Sequence, residues 1–71
     1  MISRQVQDAF NAQINKELYS AYLYLAMNAW FQQRSLLGFA NWMKVQAQEE
    51  QLHAQLMYAY VFERGGAVTL E

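Results

Sequence analysis

The chain has 71 residues, no cysteine, one histidine and a formal net charge of −1, with 55% of its positions hydrophobic. A domain this small hides only about 60% of the surface its unfolded chain exposes, so partners are expected. Without cysteine there are no disulfides and no thiolate metal sites, which fits a reducing cytosol and leaves Glu, His and Tyr as the available ligands. The five Lys and Arg are scattered singly, which speaks against nucleic acid and against an anionic membrane as partners.

Residues 1–5 carry no apolar segment ahead of a small-residue cleavage site, so a cytoplasmic location is expected. Ser3 is the predicted N-cap of a first helix over about 4–32, where apolar residues recur at the helical period. Residues 18–33 are uncharged, but they include Ser20, Asn28 and two glutamines. They also fall short of the roughly 20 apolar residues a bilayer span needs, so protein and not lipid is expected to cover them. A turn over about 33–37 follows, with Ser35 predicted to cap the next helix and Gly38 weakening its first turn. The second helix is predicted over about 37–64, ending at Gly65 and Gly66 with a left-handed glycine cap, and 65–71 is a short extended tail. A short turn makes the two helices antiparallel, and the fold class is all-α.

Stepping by three and four from Glu17 gives Val6, Phe10, Ile14, Ala21, Tyr24, Asn28 and Phe31. The same walk from Glu50 gives Leu36, Phe39, Met43, Ala47, Ala54, Met57 and Val61. Both glutamates are therefore expected on core stripes, and His53 shares the face of Glu50 from three positions on. An uncompensated buried carboxylate costs roughly several kcal/mol or takes up a proton. A bound cation is the expected compensator. If the turn centres near residue 35, Glu17 lies 18 positions before it, and Glu50 and His53 lie 15 and 18 after it. At about 1.5 Å per residue the three reach nearly one depth.

The back of the first helix, with Tyr19, Tyr22, Leu23, Ala26, Ala29 and Trp30, is also apolar. One partner helix cannot cover both faces, so two association surfaces are expected. A homodimer is expected through the faces bearing Glu17, Glu50 and His53, and a higher homo-oligomer through the Tyr19, Tyr22 and Trp30 face.

A Glu on one helix and a Glu-x-x-His on its neighbour make half of a di-iron carboxylate site, whose full form in a four-helix bundle takes two of each. Two hairpins related by a two-fold axis supply all six ligands, and the donor set suits Fe(II), with Zn(II), Mn(II) and Co(II) as competitors. Glu49, rotated about 100° from Glu50, is either a surface residue or part of a secondary metal site. Gln46, one turn before Glu50, is a candidate to orient a ligand. Tyr24 is either a core aromatic or a residue close to the metals.

Three stretches carry a resemblance to a known family: Asn15-Lys16-Glu17-Leu18-Tyr19-Ser20-Ala21-Tyr22-Leu23-Tyr24-Leu25; Gly38-Phe39-Ala40-Asn41-Trp42-Met43-Lys44-Val45-Gln46-Ala47-Gln48-Glu49-Glu50 with His53; and Glu63-Arg64-Gly65-Gly66. Together they resemble the first two helices of prokaryotic non-haem ferritins. The resemblance implies a ferritin-like four-helix bundle and ferroxidase activity, with Fe(II) oxidised by O2 or H2O2 for iron storage and detoxification. It implies Glu17 as a terminal iron ligand, Glu50 as a bridging carboxylate, His53 as the imidazole on the same iron, and Tyr24 as the tyrosine beside the site. Glu49 matches a position that some members use for a third iron. Haem is not expected, because Gln51 and Leu52 stand where bacterioferritins carry a haem-ligating Met.

Ferritin subunits are more than twice this length. The expectation is therefore either a half-length ferritin that restores the bundle by dimerising, with two Fe per dimer site, or a piece of a longer protein. The alternative function is a non-enzymatic helical assembly module with a vestigial or structural metal site.

Overall fold

In the computed structural model, which describes residues 1–71, helix α1 (Arg4–Gln33) starts at Ser3. The Ser3 hydroxyl accepts a hydrogen bond from the Val6 amide at 3.2 Å, satisfying one of the donors a helix start leaves free. Helix α2 (Leu37–Glu63) returns antiparallel along α1, and there is no strand. Neither helix is long and apolar enough to cross a membrane.

Both helices stop by the same device. At the end of α1, Leu36 N–H donates to the Phe31 carbonyl at 3.0 Å and Ser35 N–H to the Gln32 carbonyl at 3.0 Å, with Ser35 in left-handed backbone at φ 56°. At the end of α2, Gly66 N–H donates to the Val61 carbonyl at 2.9 Å and Gly65 N–H to the Phe62 carbonyl at 3.1 Å, with Gly65 at φ 75°. This bond pair around one left-handed residue is the Schellman motif. Ser35 is thus the terminator of α1 and does not cap α2 as its residue type suggests. The N-cap position of α2 is Leu36, which has no side-chain oxygen to offer. Position 35 is needed to close the preceding helix, so the next one starts uncapped.

The seam between the helices repeats every seven residues. Ile14 and Ala21 of α1 and Ala40, Ala47, Ala54 and Val61 of α2 are the buried residues. A seven-residue repeat keeps one stripe of each helix facing its neighbour at a small crossing angle, and alanines let the backbones come close. A second row lies three positions on from the first: Phe10, Glu17, Tyr24 and Phe31 on α1, and Met43, Glu50 and Met57 on α2. Every member of it is half-buried. Asn28 pins the hairpin near its turn by donating from its side-chain amide to the Ala40 carbonyl.

Leu36, Phe39 and Val6 lie on the predicted core stripes but are largely exposed, Phe39 by 59%, with its ring stacked on Phe31 at 5.3 Å between centroids. Two helices seal only a narrow seam, and these side chains flank it. The molecule is a rod of 49 × 17 × 11 Å, with a radius of gyration of 14.9 Å where a compact chain of this length has about 11 Å. Its accessible surface of 5345 Å² exceeds the roughly 4,600 Å² of a compact monomer of this mass. Much of the exposed area is apolar, including Tyr19, Tyr22 and Trp30 on α1 and Leu52, Leu56 and Phe62 on α2.

Residues 67–71 lie extended along α1, held by three side-chain amides four positions apart. Gln7 accepts from Ala67 N–H. Asn11 donates to the Ala67 carbonyl and accepts from Thr69 N–H. Asn15 donates to the Thr69 carbonyl and accepts from Glu71 N–H. Four helical residues rise about 6.0 Å and two extended residues about 6.6 Å, so the two periods match closely enough for successive amides to meet alternate residues. Between the pegs, Val68 packs on the cluster of Ile14, Ala54 and Val61.

Candidate metal centre

Glu17 and Glu50 occupy equivalent places on their helices: each lies three residues after one buried seam residue and four before the next, Ile14 and Ala21 for Glu17, Ala47 and Ala54 for Glu50. The seven-residue repeat therefore brings both carboxylates to one edge of the seam. His53, beside the buried Ala54, joins them from α2. One ligand atom from each of the three residues lies within 4.8 Å of the others. His53 Nδ1 stands 3.9 Å from Glu17 Oε2, with the Glu17 side chain 17% exposed and that of His53 56% exposed.

No Lys or Arg pairs with either glutamate, so an ordinary ion pair does not account for the placement. Donors about 2.0–2.2 Å from one cation are separated from each other by roughly 3.0–4.3 Å. The observed spread lies a few tenths of an ångström beyond that, within reach of small side-chain adjustments. Two carboxylates and an imidazole are hard and borderline donors suited to a divalent first-row cation such as Fe(II). The side chain that holds a member of the cluster is Gln13, whose Nε2 donates to Glu17 Oε1 at 2.9 Å. The one mark it carries in the sequence is its place four residues before Glu17, where a Gln side chain meets a Glu on one helix face.

Tyr24 is in the same half-buried row as Glu17, seven residues on and about 10 Å along the axis. There it lines a shallow depression of about 180 Å³ with Ser20, Leu23 and Met27. Glu49 is exposed and does not join the three-residue cluster, and Gln46 is half-buried one turn before Glu50.

A family model for the ferritin-like domain matches residues 7–71, and the chain belongs to that family. Among curated proteins it is 45% identical over all 71 residues to the bacterial non-heme ferritin of Bacteroides fragilis (strain 638R), covering 45% of that protein. It is 42% identical over 65 residues to the bacterial non-heme ferritin of Staphylococcus aureus (strain USA300), covering 92% of this chain and 39% of that one. Among solved structures, an engineered closed form of the Archaeoglobus fulgidus ferritin superposes with a TM-score of 0.94 at 54% identity. The open-pore ferritin of the same archaeon superposes at 0.92 and 54% identity, with all of this chain matched to 44% of that one. The chain thus spans less than half the length of the relatives it matches.

Proposed function

We propose that two of these hairpins pack through the edge bearing Glu17, Glu50 and His53 into a four-helix bundle, and that this bundle binds two Fe(II) as substrate and oxidises them to Fe(III) for iron storage and detoxification. The observation that carries this is the convergence of two half-buried carboxylates and one exposed imidazole, without a Lys or Arg partner, on one edge of the seam. The edge is flanked by Phe10, Tyr24, Phe31, Met43 and Met57, which a second hairpin would cover. The solvent-exposed Tyr19, Tyr22 and Trp30 surface serves further association.

In this reaction two Fe(II) give up one electron each. Molecular oxygen takes both with two protons and leaves as hydrogen peroxide, or peroxide takes both with two protons and leaves as two waters. Glu17 and Glu50 supply negative charge that favours the more highly charged Fe(III), and His53 fixes one donor direction. The apolar flanks limit water at the pair once the bundle closes.

Anaerobic Fe(II) titration combined with equilibrium sedimentation tests the reading. Binding should saturate at two Fe(II) per two chains, strengthen association, and be followed on admitting oxygen by Fe(III) absorbance. An association constant indifferent to metal, or tight binding to isolated single chains, would overturn it in favour of a non-enzymatic assembly module.

A further inference from the structure

Glu17 uses its two oxygens differently. Oε1 accepts the Gln13 Nε2 hydrogen bond at 2.9 Å, while Oε2 faces His53 Nδ1 at 3.9 Å. An ionised carboxylate only accepts hydrogen bonds, so the amide nitrogen of Gln13, and not its oxygen, must be the atom turned to Glu17. We infer that Gln13 is a positioning residue that reserves one oxygen of Glu17 and so holds it as a one-oxygen ligand toward His53 and Glu50.

The inference rests on the metal-binding reading above and adds a denticity to it. Chelation through both oxygens needs the two at equal distance from the cation, and swinging Oε1 inward would stretch its hydrogen bond to Gln13. Gln13 is solvent-exposed on α1, one turn before Glu17, so its replacement leaves the seam untouched. Removing the hydrogen bond frees Glu17 to rotate about its last torsion, so the binding orientation is no longer held in advance, which weakens binding, and both oxygens become open to the cation, which changes its coordination. Partners that orient metal ligands in this way are typically worth about 10–100-fold in metal affinity.

The test uses Co(II), whose visible absorption is strong at four- and five-coordinate sites and weak at six-coordinate ones, on the associated 71-residue chain. Gln13→Met keeps the length and helix preference of the side chain and removes the donor; Gln13→Lys restores a donor at the same place. The expected result is weaker Co(II) binding, by about 10–100-fold, and a dimmer, shifted band in Gln13→Met, with the parent band shape retained in Gln13→Lys. Circular dichroism of the metal-free variants should match the parent. Identical affinity and spectrum in Gln13→Met, or equal change of band shape in both variants, would overturn the role of Gln13 while leaving the metal site standing. A parent that binds no Co(II), or binds it as well after Glu17→Ala, would instead bring down the metal-binding reading and this inference with it.

Discussion

Glu17 and His53 come from opposite legs of the hairpin, yet Nδ1 of one lies 3.9 Å from Oε2 of the other, and Glu50 reaches the same place from the leg that carries His53. The pairing follows from the repeat of the seam: Ile14 and Ala21 set Glu17, and Ala47 and Ala54 set Glu50 and His53. Four expectations follow from the way these residues and their neighbours are held.

Glu50→Ala removes a donor from the half-buried row and leaves a small gap beside alanines. Fe(II) oxidation should fall to the rate seen without protein, while far-ultraviolet circular dichroism and oligomer mass stay as in the parent. Oxidation at the parental rate under matched oxygen and protein would show that the electrons leave elsewhere.

Carboxylate and imidazole donors must be free of protons to bind a cation, so metal binding releases protons and acid opposes it. A ligand that binds only the associated form stabilises it by about 2.7 kcal/mol at a hundredfold excess over its dissociation constant. The strengthening of association by Zn(II) should therefore be largest at neutral pH and shrink as pH falls toward 5. Sedimentation at three pH values with and without Zn(II) measures it, and a metal effect independent of pH would argue against these donors.

The glycines should respond in opposite directions. A Cβ on Gly38 meets nothing within 4 Å, so Gly38→Ala should stabilise the helical form by about 0.5–1 kcal/mol. A Cβ on Gly66 would lie 2.9 Å from Gln7 Oε1, Ile2 Cγ2 and Val61 Cγ1, and Val61 has no room to yield, so Gly66→Ala should cost about 1–3 kcal/mol. Denaturant unfolding at fixed protein concentration gives both values, and a destabilising Gly38→Ala would contradict the open space beside it.

Hydrogen exchange should alternate along the tail. Ala67, Thr69 and Glu71 N–H groups are engaged by Gln7, Asn11 and Asn15, so they should exchange more slowly than Val68 and Leu70. Asn11→Leu should erase the slow exchange at Thr69 first. Uniform fast exchange over 67–71 in the parent would show that the ladder does not form in solution.

The hairpin was legible because helical periodicity, a short turn, the Ser3 cap and the double glycine all pointed to one arrangement. The convergence of Glu17, Glu50 and His53 was legible from counting residues about the turn. Ser35 has the residue type of a helix start, and only the bonds of Ser35 and Leu36 back to Gln32 and Phe31 reveal that it ends a helix. Steps of three and four trace a broad stripe that takes in Leu36, Phe39 and Val6, whereas one partner helix covers only a seven-residue seam and leaves them exposed. A glutamine on an exposed face looks like any other in sequence; the meaning of Gln13 depends on which oxygen of Glu17 it occupies.

The amides of Gln7, Asn11 and Asn15 grip main-chain atoms of the tail and ignore its side chains. Tolerance to substitution should accordingly divide by chemistry along 67–71. Position 69, where Thr69 both donates and accepts through its backbone, can carry almost any residue except proline, which has no N–H to give. Position 68 is restricted instead by volume, since Val68 sits on the cluster of Ile14, Ala54 and Val61. The three amides on α1 have no such latitude, because each is read for both its nitrogen and its oxygen or for the one atom the tail requires. Sequence drift in the tail is thereby uncoupled from its path, and the direction in which the backbone leaves the hairpin is written in α1.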